Sequence, residues 1–435
     1  MSSVQIGLSG IGILFFLIAL RIPIGVALIT VSFGGLWVLI NFDVAWGALG
    51  AMPYQFAANW VLSSVPMFLL LGYLSYHTQL TQGLFRAARI WMSGIPGGLA
   101  IAAIFGSAGF AAVSGSSVAC SAAMGRIAVP EMMRYRYNAE LATGTVAVAG
   151  TIGALIPPSI IMILYGIVAQ VPVSELFLGG ITAGILTAIG YIVVILVRVK
   201  LNPALAPKVE ETVTFSEKLQ ALQDTWPVIL IMVGIFTGLF GGFFTPTEAG
   251  AVGAFLALLV AAAKRTLTWG RFKDALLETL CTTGALIIIA VGASLLTRFL
   301  AISGAGNYLS DLVIGSDTSP LVILMGLVVV YLILGMFLEP IGAMLLTLPI
   351  VLPIIGDMEL SLIWFGVLLT KLLEVGMITP PIGMNVFVIK GVVGNLVTTT
   401  AIFRGVLWFL VMDLLIVIFL IAWPDFILFL PSLLK

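Results

Sequence analysis

The chain has 435 residues, of which 61% are hydrophobic and 9% are charged, and its formal net charge is +0. A soluble globular protein carries roughly 25% charged residues, so this composition excludes that class, and the balanced charge argues against nucleic acid as a partner. Apolar runs of about 20 residues recur along the whole length, which is typical of an all-α polytopic membrane protein lying in a lipid bilayer.

The first half contains five predicted spanning helices. The run from Ile6 to Leu20 has no preceding basic residue and no following small-residue cleavage site, so it is interpreted as a retained helix and not as a signal peptide. The predicted spans are 4–20, 22–40, 58–76, 139–170 and 175–199.

The second half repeats this order, with predicted spans at 226–242, 248–263, 274–300, 361–391 and 401–424. Between the third and fourth span of each half lies an apolar stretch interrupted near its centre, 97–133 by Ser114-Gly115-Ser116-Ser117 and 320–356 by Leu338-Glu339-Pro340. Each arm reaches about 25 Å, less than the apolar core of about 30 Å. We therefore predict two re-entrant helical hairpins that enter and leave on one side.

Two segments of a different kind lie outside these spans. Residues 77–95 and 264–274 combine basic and aromatic side chains, which predicts matching amphipathic arms at the membrane interface. Residues 200–225 form the one long polar stretch, and they are interpreted as the linker between the halves.

Two proline-containing breaks occur at a constant spacing. Gly153–Pro158 recurs as Gly376–Pro381, since 380 − 157 = 223, and Pro130 recurs as Pro353, since 353 − 130 = 223. Proline removes a backbone donor, and lipid cannot satisfy the groups that a broken helix leaves free. Matched breaks in two halves therefore indicate the binding site of a secondary transporter.

The distribution of basic residues predicts the orientation of the chain. Clusters such as Arg86 with Arg89 and Arg134 with Arg136 mark the cytoplasmic face, whereas 41–59, 171–175, 303–319 and 357–360 contain no Lys or Arg. With these assignments the first hairpin opens to the cytoplasm and the second to the outside. The halves are then inverted repeats, with both termini periplasmic.

The two hairpin tips offer different chemistry. The first supplies serine hydroxyls, which together with carbonyls freed by the nearby break suit a hard cation such as sodium, although small hydroxyl residues also simply allow close helix packing. The second carries Glu339, a costly carboxylate at membrane depth. It is expected to neutralise a cation, to accept a proton, or to cap the amides of Ile341 and Gly342.

Three further charged residues have competing interpretations. Lys371 and Glu374 lie three residues apart on one predicted helix, which favours a salt bridge between them. Arg126 is a candidate for holding a substrate carboxylate, for pairing with Glu131, or for snorkelling to the interface.

As a set, these motifs resemble the large membrane subunit (DctM-type permease) of the tripartite ATP-independent periplasmic (TRAP) transporters. The likeness covers nearly the whole chain and rests on Ser114–Ala119, Gly150–Ser159, Thr245–Ala249, Leu338–Pro340 and Thr379–Asn385. It implies sodium-driven uptake of an organic acid, such as a dicarboxylate or a sialic acid, by an elevator motion in a bacterial inner membrane. It also implies a small four-helix membrane subunit, encoded separately, and a periplasmic substrate-binding protein.

The resemblance also implies site residues. A first sodium site would involve Ser114, Ser117, Gly153 and Pro157, and a second would involve Gly335, Gly376 and Thr379, with Glu339 as a further candidate. The substrate is expected between the two tips. Its candidate contacts are Ser116, Glu339, Pro340, Pro158, Pro381, Asn385 and Arg126.

The mobile part of the proposed elevator would consist of residues 97–170 and 320–391. The remaining parts would be the scaffold helices and arms of 1–96 and 226–319, the scaffold helix and linker of 171–225, and the C-terminal helix of 392–435.

Other function classes fit the sequence less well. An intramembrane serine protease needs a general base, and the lone His77 is predicted at the end of another helix, so no enzymatic activity is expected. A haem or quinone enzyme would need axial histidines, which the lone His77 does not supply. A passive channel is also disfavoured, because two hairpins that do not cross the membrane suit an occluded binding site better than a continuous pore. The principal alternative is an ion-coupled carboxylate transporter or exchanger that works without a soluble binding protein.

Overall fold

The computed structural model describes residues 2–207, 214–314 and 319–433, and within these ranges the chain is helical. Lys208, Glu210 and Glu211 of the predicted linker 200–225, and Asp317 of the stretch 303–319, lie outside the described residues. The helices of the first half are α1 Ser3–Ala19, α2 Ile24–Leu39, α3 Phe42–Ala57, α4 Ser64–His77, α5 Gln82–Met92, α6 Gly98–Ser114, α7 Ser117–Arg134, α8 Ala139–Thr151, α9 Ile160–Ala169 and α10 Val173–Leu201.

The second half begins with a short helix in the polar linker. Its helices are α11 Phe215–Gln223, α12 Trp226–Phe240, α13 Pro246–Ala263, α14 Trp269–Ser303, α15 Ala305–Ile314, α16 Pro320–Phe337, α17 Pro340–Asp357, α18 Leu362–Gly376, α19 Met384–Val393, α20 Thr399–Ala422 and α21 Asp425–Leu433.

The spacing seen in the sequence recurs in the helix boundaries. Helices α7 and α17 begin at Ser117 and Pro340, since 340 − 117 = 223, and α8 and α18 begin at Ala139 and Leu362, since 362 − 139 = 223. Helix α5 likewise corresponds to α15, since 305 − 82 = 223. The same order of elements therefore occurs twice along the chain.

Local capping explains where several of these helices start. Ser116 caps α7 by accepting the N–H of Ala119, and Glu339 caps α17 by accepting the N–H of Gly342. A free N-terminal amide needs such an acceptor, and serine and acidic side chains provide one. Both hairpin tips are therefore defined by a capping residue at equivalent positions, 339 − 116 = 223.

Some sequence-based boundaries were wrong. The predicted arm 264–274 is not a separate element: residues 269–274 form the first turns of α14, which continues to Ser303 without an intervening proline. The counterpart of α5 is α15. Helix α3 lies in the stretch 41–59, which was expected only as an external connection, and α11 and α21 were also not predicted.

Helices from the two halves of the chain pack against one another. Helix α2 packs along α14, and α4 packs along both α13 and α14. Helix α8 packs on α7 and α20, and α18 packs on α10, α16 and α17. A Cβ placed on Gly144 of α8 would lie 2.5 Å from the backbone of Gly405 in α20, so these two helices touch backbone to backbone.

Six helices are long and apolar enough to cross a bilayer, or eight if two bent helix pairs each count as one span, within the part of the chain that the structure describes. Large apolar side chains such as Leu321 and Val322 on α16 are exposed at 58% each. An apolar outer surface of this kind is stable in lipid and not in water. The fold is that of a multi-pass helical membrane protein.

Candidate functional site

Both predicted helix breaks are present. Helix α8 ends at Thr151 and α9 begins at Ile160, whereas α18 ends at Gly376 and α19 begins at Met384. The peptide bonds Pro157-Pro158 and Pro380-Pro381 are both cis. Each spanning segment predicted at 139–170 and 361–391 is therefore two shorter helices joined by irregular backbone.

The first hairpin tip rests directly on the first break. Gly115 has a φ of 61°, and a Cβ added there would lie 2.3 Å from the carbonyl oxygen of Pro158. A Cβ on Gly153 would lie 3.1 Å from the carbonyl oxygen of Ser116. Only glycine permits both the left-handed backbone and this close approach at position 115.

The second tip makes the same kind of contact through a pair of glycines. A Cβ added to Gly376 would lie 2.5 Å from the Cα of Gly335, so the end of α16 meets the end of α18 without intervening side chains. Glu339 follows this contact, and its Oε2 accepts the N–H of Gly342 at 3.0 Å. The capping interpretation of Glu339 is thus confirmed.

A cavity of about 740 Å³ brings the two tips together. Its walls come from both tips, from the second broken helix and the start of α9, and from α4 and α14 on the opposite side. Among the predicted site residues, those that line it are Ser116, Ser117, Glu339 and Pro340. Glu374 and Met377 of the second break also face it.

The remaining residues predicted for the first sodium site lie behind this surface. Ser114 is buried, and its Oγ has no hydrogen-bond partner among the described residues. Pro157 and Pro158 are buried beneath the first tip. They are therefore adjacent to the cavity lining and do not form it.

The residues predicted around the second break are distributed more widely. Thr379 is half-buried and donates its hydroxyl to the carbonyl of Val375 at 2.6 Å, and Pro381 is exposed. Asn385 is fully buried, and neither of its side-chain polar atoms has a hydrogen-bond partner within the described part of the chain. The structure does not bring Pro381 to the cavity lining.

Arg126 is exposed, and its guanidinium carbon lies 5.9 Å from the ring centroid of Tyr76. Tyr76 lines the cavity, whereas Arg126 does not. The alternative pairing with Glu131 was wrong, because Glu131 bonds to Arg89 at 3.1 Å.

The predicted salt bridge between Lys371 and Glu374 was also wrong. The Nζ of Lys371 donates to Oδ1 of Asp413 at 2.5 Å, and Asp413 also accepts the hydroxyl of Tyr191 at 2.9 Å. Oε1 of Glu374 instead accepts the hydroxyl of Ser117 at 3.1 Å. Side chains on different helices offered better geometry than the partner three residues away.

Sequence reasoning missed the cavity wall formed by α4 and α14. Tyr73 of α4 shares a hydrogen bond of 2.8 Å with Thr282 of α14, and both line the cavity with Glu278. Glu278 and Thr282 lie four residues apart and therefore on one face of α14. This polar pair, on one face of a helix predicted to span the membrane, was the available signal.

The oxygen atoms that line the cavity suit a hard ion and a polar small molecule. The tips present serine hydroxyl and carboxylate oxygens, and oxygen atoms are the ligands that hard cations prefer. Most of the lining is nevertheless apolar, which is usual for a pocket that binds a small molecule through a few oriented polar groups.

Comparison with known proteins identifies the family. The profile described as "Tripartite ATP-independent periplasmic transporter, DctM component" matches residues 11–426. The C4-dicarboxylate TRAP transporter large permease protein DctM of Pseudomonas aeruginosa is 35% identical over 367 residues, which cover 83% of this chain and 84% of that protein. The sialic acid TRAP transporter large permease protein SiaM of Vibrio cholerae is 31% identical over 417 residues, or 94% and 95% of the two chains.

A solved structure supports the fold. The YdaH transporter of Alcanivorax borkumensis superposes with a TM-score of 0.61 at 15% identity, covering 89% of this chain and 90% of that one. The profile match over nearly the full length, together with relatives above 30% identity, decides the assignment. The chain belongs to the DctM-component family of TRAP transporters, and it is a large membrane permease subunit and not an enzyme.

Proposed function

We propose that this chain carries out sodium-coupled uptake of an organic acid, together with a small membrane subunit and a periplasmic substrate-binding protein. The observation that carries the proposal is the single cavity bounded by both hairpin tips and by parts of both broken helices. The relatives named for C4-dicarboxylate and sialic acid favour a carboxylate as cargo. Half-helix ends and free backbone groups are the means by which such transporters bind ions and anionic substrates.

We propose that the two tips hold the coupling ions. Ser114 and Ser117 with the carbonyl groups of Gly153 and Pro157 would bind one sodium ion, and Gly335, Gly376 and Thr379 would bind another. Support comes from the direct seating of each tip on its break and from the unpartnered Oγ of Ser114. In this proposal sodium is transported with the substrate, and the sodium gradient drives uptake.

An elevator motion fits the packing. The cavity lies between α4 and α14 on one side and the tips on the other, so sliding at this boundary would move the binding site without dismantling it. Helices α10 and α20 pack on the broken helices, and the bond between Lys371 and Asp413 joins α18 to α20. We therefore propose a mobile body larger than residues 97–170 and 320–391, because it also includes α10 and α20.

The cavity would face the cytoplasm in this conformation. Its wall includes Tyr76, near the basic segment that carries Arg86 and Arg89, and Glu278, whose side chain is 48% exposed. Loops rich in Lys and Arg lie on the cytoplasmic side. We propose, with this orientation, that the two halves are inverted repeats and that both termini are periplasmic.

Reconstitution tests the function. The purified permease with its small subunit, placed in liposomes, should accumulate an organic acid only when the binding protein and an inward sodium gradient are both present. Ser117→Ala should raise the sodium concentration for half-maximal uptake by about tenfold, which corresponds to 1.4 kcal/mol. The matched control is Thr187→Ala, whose buried hydroxyl bonds to the carbonyl of Ala183 in its own helix.

Three results would contradict the proposal. Uptake driven equally by a proton gradient alone would remove sodium as the coupling ion. Full activity without the binding protein would favour the transporter that needs no receptor. An unchanged sodium dependence in Ser117→Ala would place the ion elsewhere.

A further inference from the structure

The buried interior where α18 packs on α20 contains two acidic side chains and one lysine. Lys371, Glu374 and Asp413 are each 0% exposed. Lys371 is already bonded to Asp413, and both carboxylate oxygens of Asp413 accept the hydroxyl of Tyr191 at 2.9 Å. That ion pair is complete, so Glu374 is left without a positive partner of its own.

The charges that act on Glu374 do not correct this imbalance. They come from Lys371, Glu339 and Asp413, of which only Lys371 is positive. Glu339 faces the cavity and is bonded to the amide of Gly342. An isolated buried carboxylate at membrane depth costs several kcal/mol, so a positive species must accompany Glu374.

Oxygen atoms of Glu374, and of the face of α7 whose Ser117 contacts it, have unused lone pairs for that species. Oε1 accepts the hydroxyl of Ser117, which leaves the lone pairs of Ser117 Oγ available, and Oε2 has no hydrogen-bond partner among the described residues. Ser121 lies four residues after Ser117 on α7 and is fully buried. Its Oγ has no hydrogen-bond partner among the described residues. A Cβ on Gly150 would lie 1.9 Å from that Oγ, so only glycine leaves this oxygen its space.

We propose that Glu374 and Ser117, with Ser121, bind a hard monovalent cation that bridges the two halves of the permease. This inference rests on the proposed sodium coupling. It adds a carboxylate from the second broken helix to an ion site at the first tip. Hydroxyl and carboxylate oxygens together match the ligand preference of such an ion, and one cation neutralises the excess charge on Glu374.

The bridge has a mechanistic consequence. Ser117 belongs to the first hairpin and Glu374 to α18, so the ion is bound tightly only while the first tip is seated against the second broken helix. Ion binding and seating of the tip are therefore coupled, and each must favour the other to the same extent. When the ion is bound, the seated first tip would close the cavity on the side of the first hairpin.

The test compares Glu374→Gln with the wild-type complex of both membrane subunits. Glutamine keeps the shape of the side chain and removes its charge. We expect the sodium concentration for half-maximal thermal stabilisation to rise by about tenfold or more, and one sodium ion fewer to be transported per substrate. Thr370→Ala is the matched control on the same helix, because its hydroxyl bonds to the carbonyl of Gly366 at 2.8 Å, and it should leave both values unchanged.

Ser121→Ala provides a second variant that should assemble normally, because no hydrogen bond to Ser121 Oγ is lost. It should raise the same sodium concentration by roughly threefold. If sodium stabilises the wild type but both variants retain its sodium affinity and stoichiometry, the inference is wrong and Glu374 carries a proton, while sodium coupling stands. If sodium does not stabilise the wild type, the inference and the proposed coupling both fail.

Discussion

The two broken helices have breaks of the same kind but differ in the side chains buried beside them. The positions of α18 occupied by Lys371 and Glu374 correspond to Val148 and Thr151 of α8, since 371 − 148 = 223 and 374 − 151 = 223. The first break is buried, with both of its prolines covered, whereas Pro381 of the second is exposed. The two breaks therefore share their spacing along the chain, while the buried charged side chains occur at the second break only.

This difference predicts unequal roles. The first half provides hydroxyl groups and a covered break, and the second half provides the buried charges and the more open break. Substitutions at equivalent positions should therefore have unequal effects. One pair of glycine variants tests this directly, and three other tests examine contacts on either side of the comparison.

The largest effect is expected for Lys371→Met. It leaves Asp413 buried without its cation, which should lower the free energy of unfolding by about 3–5 kcal/mol. The double variant Lys371→Met with Asp413→Leu should recover most of this loss, because neither charge remains. Thermal unfolding of the purified complex measures both, and a double variant as unstable as the single one would show that the pair is not the source of the effect.

Gly376→Ala and Gly153→Ala compare the two tip contacts directly. The new methyl group would meet backbone at 2.5 Å in the first variant and at 3.1 Å in the second. We expect losses of about 3 and about 1 kcal/mol, because overpacking costs scale with the displacement that is needed. Melting temperatures of the two variants provide the measurement, and equal losses would refute the difference in tightness.

Ser116→Ala tests the cap of the first hairpin. Removing this acceptor from the N–H of Ala119 should cost about 1 kcal/mol of stability. Ser116→Asp keeps an acceptor at that position and should restore the stability measured by thermal unfolding. Failure of aspartate to restore it would mean that the hydroxyl acts through the cavity and not through the cap.

The smallest effect is expected outside the broken helices, at Tyr73→Phe. The variant loses one hydrogen bond to Thr282, worth about 0.5–1.5 kcal/mol, in a wall shared by α4 and α14. Thr282→Val should have a similar effect, and the double variant should add little to either one. A double-mutant cycle on thermal stability checks this, and full additivity would show that the bond is not formed.

Local backbone rules were sufficient for the breaks and the tips. Proline at positions 157 and 380 restricts the backbone, and glycine at 115 permits the left-handed conformation that a tight tip needs, so the breaks and the tip could be predicted from the sequence. The additional helices were harder to predict. Asn41 accepts the N–H of Val44 at the start of α3, and Gly304, with a φ of 69°, precedes α15, but asparagine and glycine are equally typical of turns.

Contacts between distant helices could not be predicted in this way. The partner of Lys371 is Asp413, 42 residues away on α20, and helical spacing pointed instead to Glu374. The far wall of the cavity comes from α4 and α14, which carry none of the predicted site residues. Helical spacing shows which residues share a face of one helix, but it does not show which faces of two distant helices meet.

The unbroken course of α14 sets the scale of any movement past it. Thirty-five residues rising 1.5 Å each give a rod of about 52 Å, which exceeds the full thickness of a bilayer with its headgroups. A helix of this length must tilt in the bilayer or protrude into water at one or both ends. In the proposed elevator motion, this length would limit how far the mobile body can be displaced while it still packs on α14, and shortening α14 by two turns should reduce that displacement.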